Sequence, residues 1–139
     1  FDYHYQVTHH SNKGSHTTHY HLAVYSLALP RPFPELRIVP EDFLSKIAQA
    51  AGWEDIDFES AEFSRAFTVR SKDRKFAYDV CHAPMMEYLL ANRDLSIELE
   101  NHALALAFGK CLAAPEIEVN LGRLLEIRSR LPEYLFTKV

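Results

Sequence analysis

Apolar and polar residues alternate with a period of two at the start of the chain. Tyr3, Tyr5 and Val7 are interleaved with Asp2, His4 and Gln6, and the pattern resumes with Tyr20, Leu22 and Val24. Successive side chains of a strand point to opposite faces, so both runs read as half-buried strands. Between them Ser11-Asn12-Lys13-Gly14-Ser15 is rich in turn-forming residues, which predicts a β-hairpin. From Leu22 to Leu29 the other phase turns apolar too, through Ala23 and Tyr25, as in a strand covered on both faces or carrying a bulge. Pro30-Arg31-Pro32-Phe33-Pro34 then imposes an extended crossing. Its short length favours a stiff connector over a ligand for an SH3-like or WW-like groove.

The period then changes. After a short strand over Leu36 to Val39, Pro40 opens a helix whose apolar stripe is Phe43, Leu44, Ile47, Ala48 and Ala51, ending at Gly52. Ser60 is placed to cap a short helix that turns Phe63 and Phe67 inward, followed by a strand through Val69. Asp73 caps a helix reaching Cys81, and Pro84 starts another carrying Met85, Met86, Tyr88, Leu89 and Leu90. Leu95, Ile97 and Leu99, then Leu104, Leu106 and Phe108, alternate on either side of Glu100-Asn101-His102 and predict a second hairpin. Pro115 begins a long C-terminal helix with Ile117, Leu121, Leu124, Leu125 and Leu131 on one face, stopped by Pro132. The expected fold is α+β: a largely antiparallel sheet built from two hairpins and short strands, packed with three to five helices.

Composition narrows the function classes. A chain of 139 residues has the size of one domain, and 47% hydrophobic with 12% aromatic residues supplies one core, so residues 1–139 read as a single globular domain. A formal charge of −4 gives no basic footprint for a phosphate backbone, and no nucleic-acid partner is expected. Cys81 and Cys111 lie in apolar segments without metal or redox spacing and read as small buried hydrophobes of a reduced compartment. The longest apolar run, Leu22 to Leu29, is too short to span a bilayer. The chain begins at Phe1 with a strand pattern, so it reads as a fragment of a longer protein.

Four glycines leave no room for a phosphate-cradling GxxxxGK[ST] loop or a GxGxxG turn. Cys81 and His82 cannot act as a thiol and base, because helical neighbours point about 100° apart. Glu54, Asp55, Asp57, Glu59 and Glu62 surround Trp53, Ile56 and Phe58 at the wrong spacing for a calcium loop, and read as a solvated face over buried aromatics. An enzyme of unfamiliar type would have to use that acidic run, or Asp79 with His82.

Histidine placement is the unusual feature: of eight, His4, His9, His10, His16, His19 and His21 precede residue 22. A hairpin register pairing residues that sum to 25 sets His4 against His21 and Gln6 against His19. Directly opposed side chains lie about 5 Å apart at Cβ, so His4, His19 and His21 are the candidate metal ligands, for zinc or nickel. The alternative is a proton-responsive patch or a plain polar strand face.

The run Asp57-Phe58-Glu59-Ser60, Glu62-Phe63, Phe67-Thr68-Val69-Arg70-Ser71-Lys72-Asp73, Ala77-Tyr78-Asp79-Val80 and Pro84-Met85-Met86-Glu87 resembles a bacterial family of unknown function. Its members are often anchored in a membrane through amino-terminal helices. The resemblance covers about a third of the chain and implies a place at the cytoplasmic face of a membrane, reached through a region absent from this chain, and no catalytic residue. Without a recognisable catalytic constellation, the reading is a non-enzymatic interaction or regulatory domain, with a protein partner or self-association.

Overall fold

A computed structural model of the chain describes residues 2–11, 14–42 and 54–137. The expected helix over Phe43, Leu44, Ile47, Ala48 and Ala51 lies outside them. Among the described residues the architecture is α+β: a five-stranded sheet with five helices. Strand β1 (Asp2–Ser11) is followed by β2 (Gly14–Pro40), a 27-residue strand on which the rest of the sheet is assembled. Strand β5 (Ser96–Phe108) pairs antiparallel with β2 from Ala23↔Phe108 to Ile38↔Ile97. Strand β4 (Phe67–Ser71) pairs with the far end of β2, Leu36 to Pro40, and β3 (Glu54–Asp55) with β4.

Ala23 pairs with both Asp2 and Phe108, and Leu36 with both Ser71 and Leu99. Each edge of a strand accepts one neighbour, so β5 fills one edge of β2 while β1 and β4 share the other. Residues 14–22 of β2 pair only with β1 among the described residues. The first two strands therefore run on beyond the main sheet as a two-stranded ribbon, a form with little stability of its own.

The second expected hairpin is corrected. Leu95 to Phe108 does not fold back at Glu100-Asn101-His102; residues 96–108 form one strand. Asn101 has a φ of 50°, and the ladder shifts register between Ala28 and Phe33 and again between Phe33 and Leu36. Pro30, Pro32 and Pro34 offer no N–H to a ladder, so β2 bulges there and Asn101 kinks β5 to follow. A left-handed asparagine serves a kink as well as a turn, and both halves of β5 find their partner in β2.

The helices obey their caps. Ser60 accepts from the Phe63 amide at 3.2 Å to start α1 (Ala61–Ala66), and Asp73 accepts from Phe76 at 2.9 Å to start α2 (Arg74–Val80). Pro84 sits in the first turn of α3 (Ala83–Ala91), where a missing N–H costs nothing. Helix α4 (Ala114–Arg130) is 17 residues long and is followed past Pro132 by α5 (Tyr134–Thr137), so it is not the last helix. At its start Glu116 Oε2 accepts from the Ala113 amide at 2.8 Å, although alanine cannot supply the reciprocal side-chain half of a capping box.

The apolar face expected of α4 is also corrected. Asn120, Leu124 and Ile127 are buried, whereas Ile117, Leu121 and Leu125 are 45%, 45% and 58% exposed. The buried row continues through Leu131 and includes one polar group, Asn120, whose Oδ1 accepts from Arg123 of the same helix at 3.0 Å. Both terminal guanidinium nitrogens of Arg123 also donate to the Asp94 carboxylate in the turn before β5. Arg123→Ala strands the buried Asn120 oxygen, so a loss of about 1–3 kcal/mol is expected in urea unfolding, and a smaller one for Asp94→Ala.

That grip predicts an acid response. Hydrogen bonds from Arg123, outweighing a partial desolvation cost, hold the Asp94 carboxyl below its usual range. A carboxyl depressed in the folded state adds stability above its unfolded pKa of about 4, and that stability is lost as pH falls through the folded value. The Asp94 side chain is 62% exposed, so screening limits the effect to below about 1 kcal/mol. Between pH 6 and 3 the thermal midpoint of Asp94→Asn should fall less than that of the wild type; equal falls would leave Asp94 without a role in the acid response.

Gly122 lies inside α4, and a Cβ built there meets nothing within 4 Å. Gly122→Ala removes backbone entropy from the unfolded chain without a clash, so denaturant unfolding should show a gain of about 0.5–1 kcal/mol.

Candidate functional site

Three places collect the chemistry: the ribbon, a groove beside α2, and the outer face of α4. On the ribbon His4 stands opposite His21 and Gln6 opposite His19. The His4 and His21 rings stack with centroids 4.5 Å apart and an interplanar angle of 27°. Imidazole lone pairs lie in the ring plane, so stacked rings aim their nitrogens along near-parallel lines rather than at one point. Of the expected ligands His4, His19 and His21, the structure brings the first and third together; the His19 side chain lies outside the described residues. Among the described residues no group of three or more His, Cys, Asp or Glu is arranged to hold a metal.

His21 has a neighbour that the sequence did not reveal. Cys111, 90 positions away, sets its Sγ 3.5 Å from His21 Nδ1. Expected to be buried, Cys111 is instead exposed. The reason is the register of β2 with β5: Ala23 pairs with Phe108, so the chain leaving β5 runs alongside the start of the ribbon. Zinc bonds of about 2.3 Å to sulfur and 2.0–2.1 Å to nitrogen at a tetrahedral angle put the two ligand atoms about 3.6 Å apart. The observed separation therefore suits a shared metal as well as an S–H···N hydrogen bond. Cys81, by contrast, is buried beneath α2, and desolvation pushes its thiol far above the ordinary range, which leaves it an inert core residue.

The structure brings Asp79 and His82 to one open groove of about 640 Å³, between α2, the end of α4 and α5. Asp79 Oδ2 lies 2.7 Å from Lys75 Nζ. The Tyr134 hydroxyl bonds to the same carboxylate, which raises the phenol above its ordinary range because ionisation would face a negative charge. His82 Nε2 is 2.7 Å from the Arg130 carbonyl. A carbonyl only accepts, so His82 carries its proton on Nε2 and ties the start of α3 to the end of α4. Both residues thus hold helices together. The acidic run is also engaged at the surface: Asp55 pairs with Arg70 at 2.5 Å and Glu62 with Arg93 at 2.7 Å. Trp53 lies outside the described residues. Phe63 and Phe67 are buried core residues, with Phe58 packed against them.

On α4 the exposed Ile117, Leu121 and Leu125 recur every fourth residue and so form one stripe along the helix, next to the buried row. Val119, 63% exposed, lies on the far side of the same helix. Among the described residues no helix is long and apolar enough to cross a membrane. The chain matches no family model, no curated protein and no solved structure.

Proposed function

We propose that this domain acts by binding another macromolecule rather than by turnover, and that the outer face of α4 is its contact surface. The carrying observation is the stripe of Ile117, Leu121 and Leu125, which keeps about half of each apolar side chain in contact with water on a helix whose adjoining row is buried. Contiguous exposed apolar residues on a folded surface are typical of interaction sites. The groove groups support the same reading, since Asp79 and His82 are committed to Lys75, Tyr134 and Arg130. The resemblance of residues 57–87 to a membrane-anchored bacterial family supports placing the domain at the cytoplasmic face of a membrane. Proximity labelling in cells, comparing the wild type with Leu121→Glu, tests the surface: neighbours should be lost from the variant while its melting curve stays unchanged. An unaltered neighbour set would remove α4 from consideration.

A second reading rests on His21 Nδ1 and Cys111 Sγ, 3.5 Å apart, with His4 opposite His21 in the ladder. We propose that the ribbon responds to zinc or nickel and to protons, with Cys111 adding a thiolate to imidazole ligands. Only neutral imidazole and thiolate coordinate, so metal should bind above neutral pH and be released on acidification. Calorimetry should give one dominant zinc stoichiometry, lost in His4→Ala, His21→Ala and Cys111→Ser. Weak uptake that ignores all three substitutions would leave a polar strand face.

A further inference from the structure

We infer that the groove between α2, the end of α4 and α5 binds an organic cation, an alkylammonium or alkylguanidinium group, on the rings of Tyr78 and Tyr134 and the carboxylate of Glu133. The groove encloses about 640 Å³, within the range of small-ligand sites. Outside α4, the large apolar side chains left exposed among the described residues are Tyr78 and Tyr134, each 44% exposed, and both line this groove. The face of an aromatic ring is electron-rich and attracts a cation placed over it. Both rings are already held. Tyr78 donates its hydroxyl to the Asp57 carbonyl at 2.9 Å and meets the Phe58 ring at 5.2 Å, and Tyr134 bonds to the Asp79 carboxylate. A side chain fixed in the free protein loses little freedom when a ligand lies on it.

The polar lining selects the charge of that ligand. Its side-chain donors are turned back into the chain: His82 to the Arg130 carbonyl, and Ser129 to the Glu126 carbonyl at 2.7 Å. Arg130 donates to the Glu126 carboxylate and the Pro84 carbonyl, with its guanidinium over the Tyr88 ring. Glu126 thus offsets the charge of Arg130, as Lys75 offsets that of Asp79. Glu133 has no such partner among the described residues and is exposed on the same lining. A carboxylate only accepts hydrogen bonds, so the ligand that satisfies it brings N–H donors and positive charge. An anion would meet Glu133 with nothing to offset it. A divalent metal ion fits poorly, because no third His, Cys, Asp or Glu among the described residues completes a ligand set.

Cation–π contacts and ion pairs at exposed sites are each weak, so a dissociation constant on the order of a millimolar is expected for a small cation. The test follows backbone amide NMR shifts of the full chain during three titrations. The probes are agmatine, a tetrapeptide with blocked ends and one arginine, and glutarate as the anion. Agmatine should give saturable shifts at residues 78, 79, 82 and 129–134. Glu133→Gln removes no contact within the chain and should weaken binding about two- to five-fold. Tyr134→Leu should weaken it to a similar extent, whereas Tyr134→Phe, which keeps the ring, should bind like the wild type. A similar affinity for agmatine and peptide assigns the site to a free amine. A peptide about ten times tighter assigns it to a basic side chain of another protein, and either result supports the site. Leu121→Glu should bind agmatine like the wild type, so this site and the α4 surface stand or fall separately. Shifts that do not saturate, affinity unchanged in both Glu133→Gln and Tyr134→Leu, or the same shifts with glutarate overturn the inference.

Discussion

Leu124→Ala should lower the unfolding free energy by about 2–5 kcal/mol, while Leu125→Ala, one position further along α4, should change it by less than about 0.5 kcal/mol. Both substitutions replace leucine with alanine in the same helix, so the change in helix propensity cancels between them. What remains is packing. Leu124 is 2% exposed and belongs to the core with Ile127 and Leu131, so its truncation loses transfer energy and leaves a cavity. Leu125 is 58% exposed and its truncation leaves only a smaller surface residue. Urea unfolding of the two variants side by side makes the comparison. Comparable losses at the two positions would mean that α4 is rotated from the orientation described, and would remove the exposed stripe on which the proposed function depends.

Phe63→Ala should cost about 3–5 kcal/mol, a large fraction of the 5–15 kcal/mol by which a domain of this size is ordinarily stable. Helix α1 has six residues, too few to persist without tertiary support. Its one buried side chain is Phe63, fully inaccessible, with Phe67 stacked at 5.4 Å and the edge of Phe58 at 5.4 Å. Removing the ring takes away both aromatic contacts and the anchor of the helix together. Amide exchange in α1 should rise even under conditions where β2 and β5 stay protected. A melting curve like that of the wild type would show that Ser60 capping and the Glu62–Arg93 ion pair hold α1 by themselves. Surface pairs with side chains as exposed as these, 62% and 55%, contribute at most a few tenths of a kcal/mol, which makes that outcome unexpected.

Local chemistry made much of this fold readable in advance. Ser60, Asp73 and Pro84 mark helix starts because a side-chain acceptor, or a residue without an N–H, satisfies the orphan amides of a first turn whatever lies around it. The opposition of His4 to His21 was legible as one of several registers two residues apart, all of which keep the apolar sides of both strands together, and the observed ladder selects it. Where tertiary structure decided, the sequence signal was ambiguous by nature. Asn101 fits a hairpin turn and a strand kink equally, and only the presence of a 27-residue β2 beside it, bulged by its own prolines, selected the kink. Leu121, Leu124 and Leu125 are equally apolar in the sequence. Arg123, holding Asp94 before β5, and the core packing of Leu124, Ile127 and Leu131 set α4 so that Leu124 is buried while Leu121 and Leu125 face water. Cys111 came beside His21 only through the β2–β5 register, a contact across 90 positions that no local pattern encodes. Capping and alternation are settled within a turn or two of chain; the choice of which apolar residues remain outside depends on what the rest of the molecule packs against them.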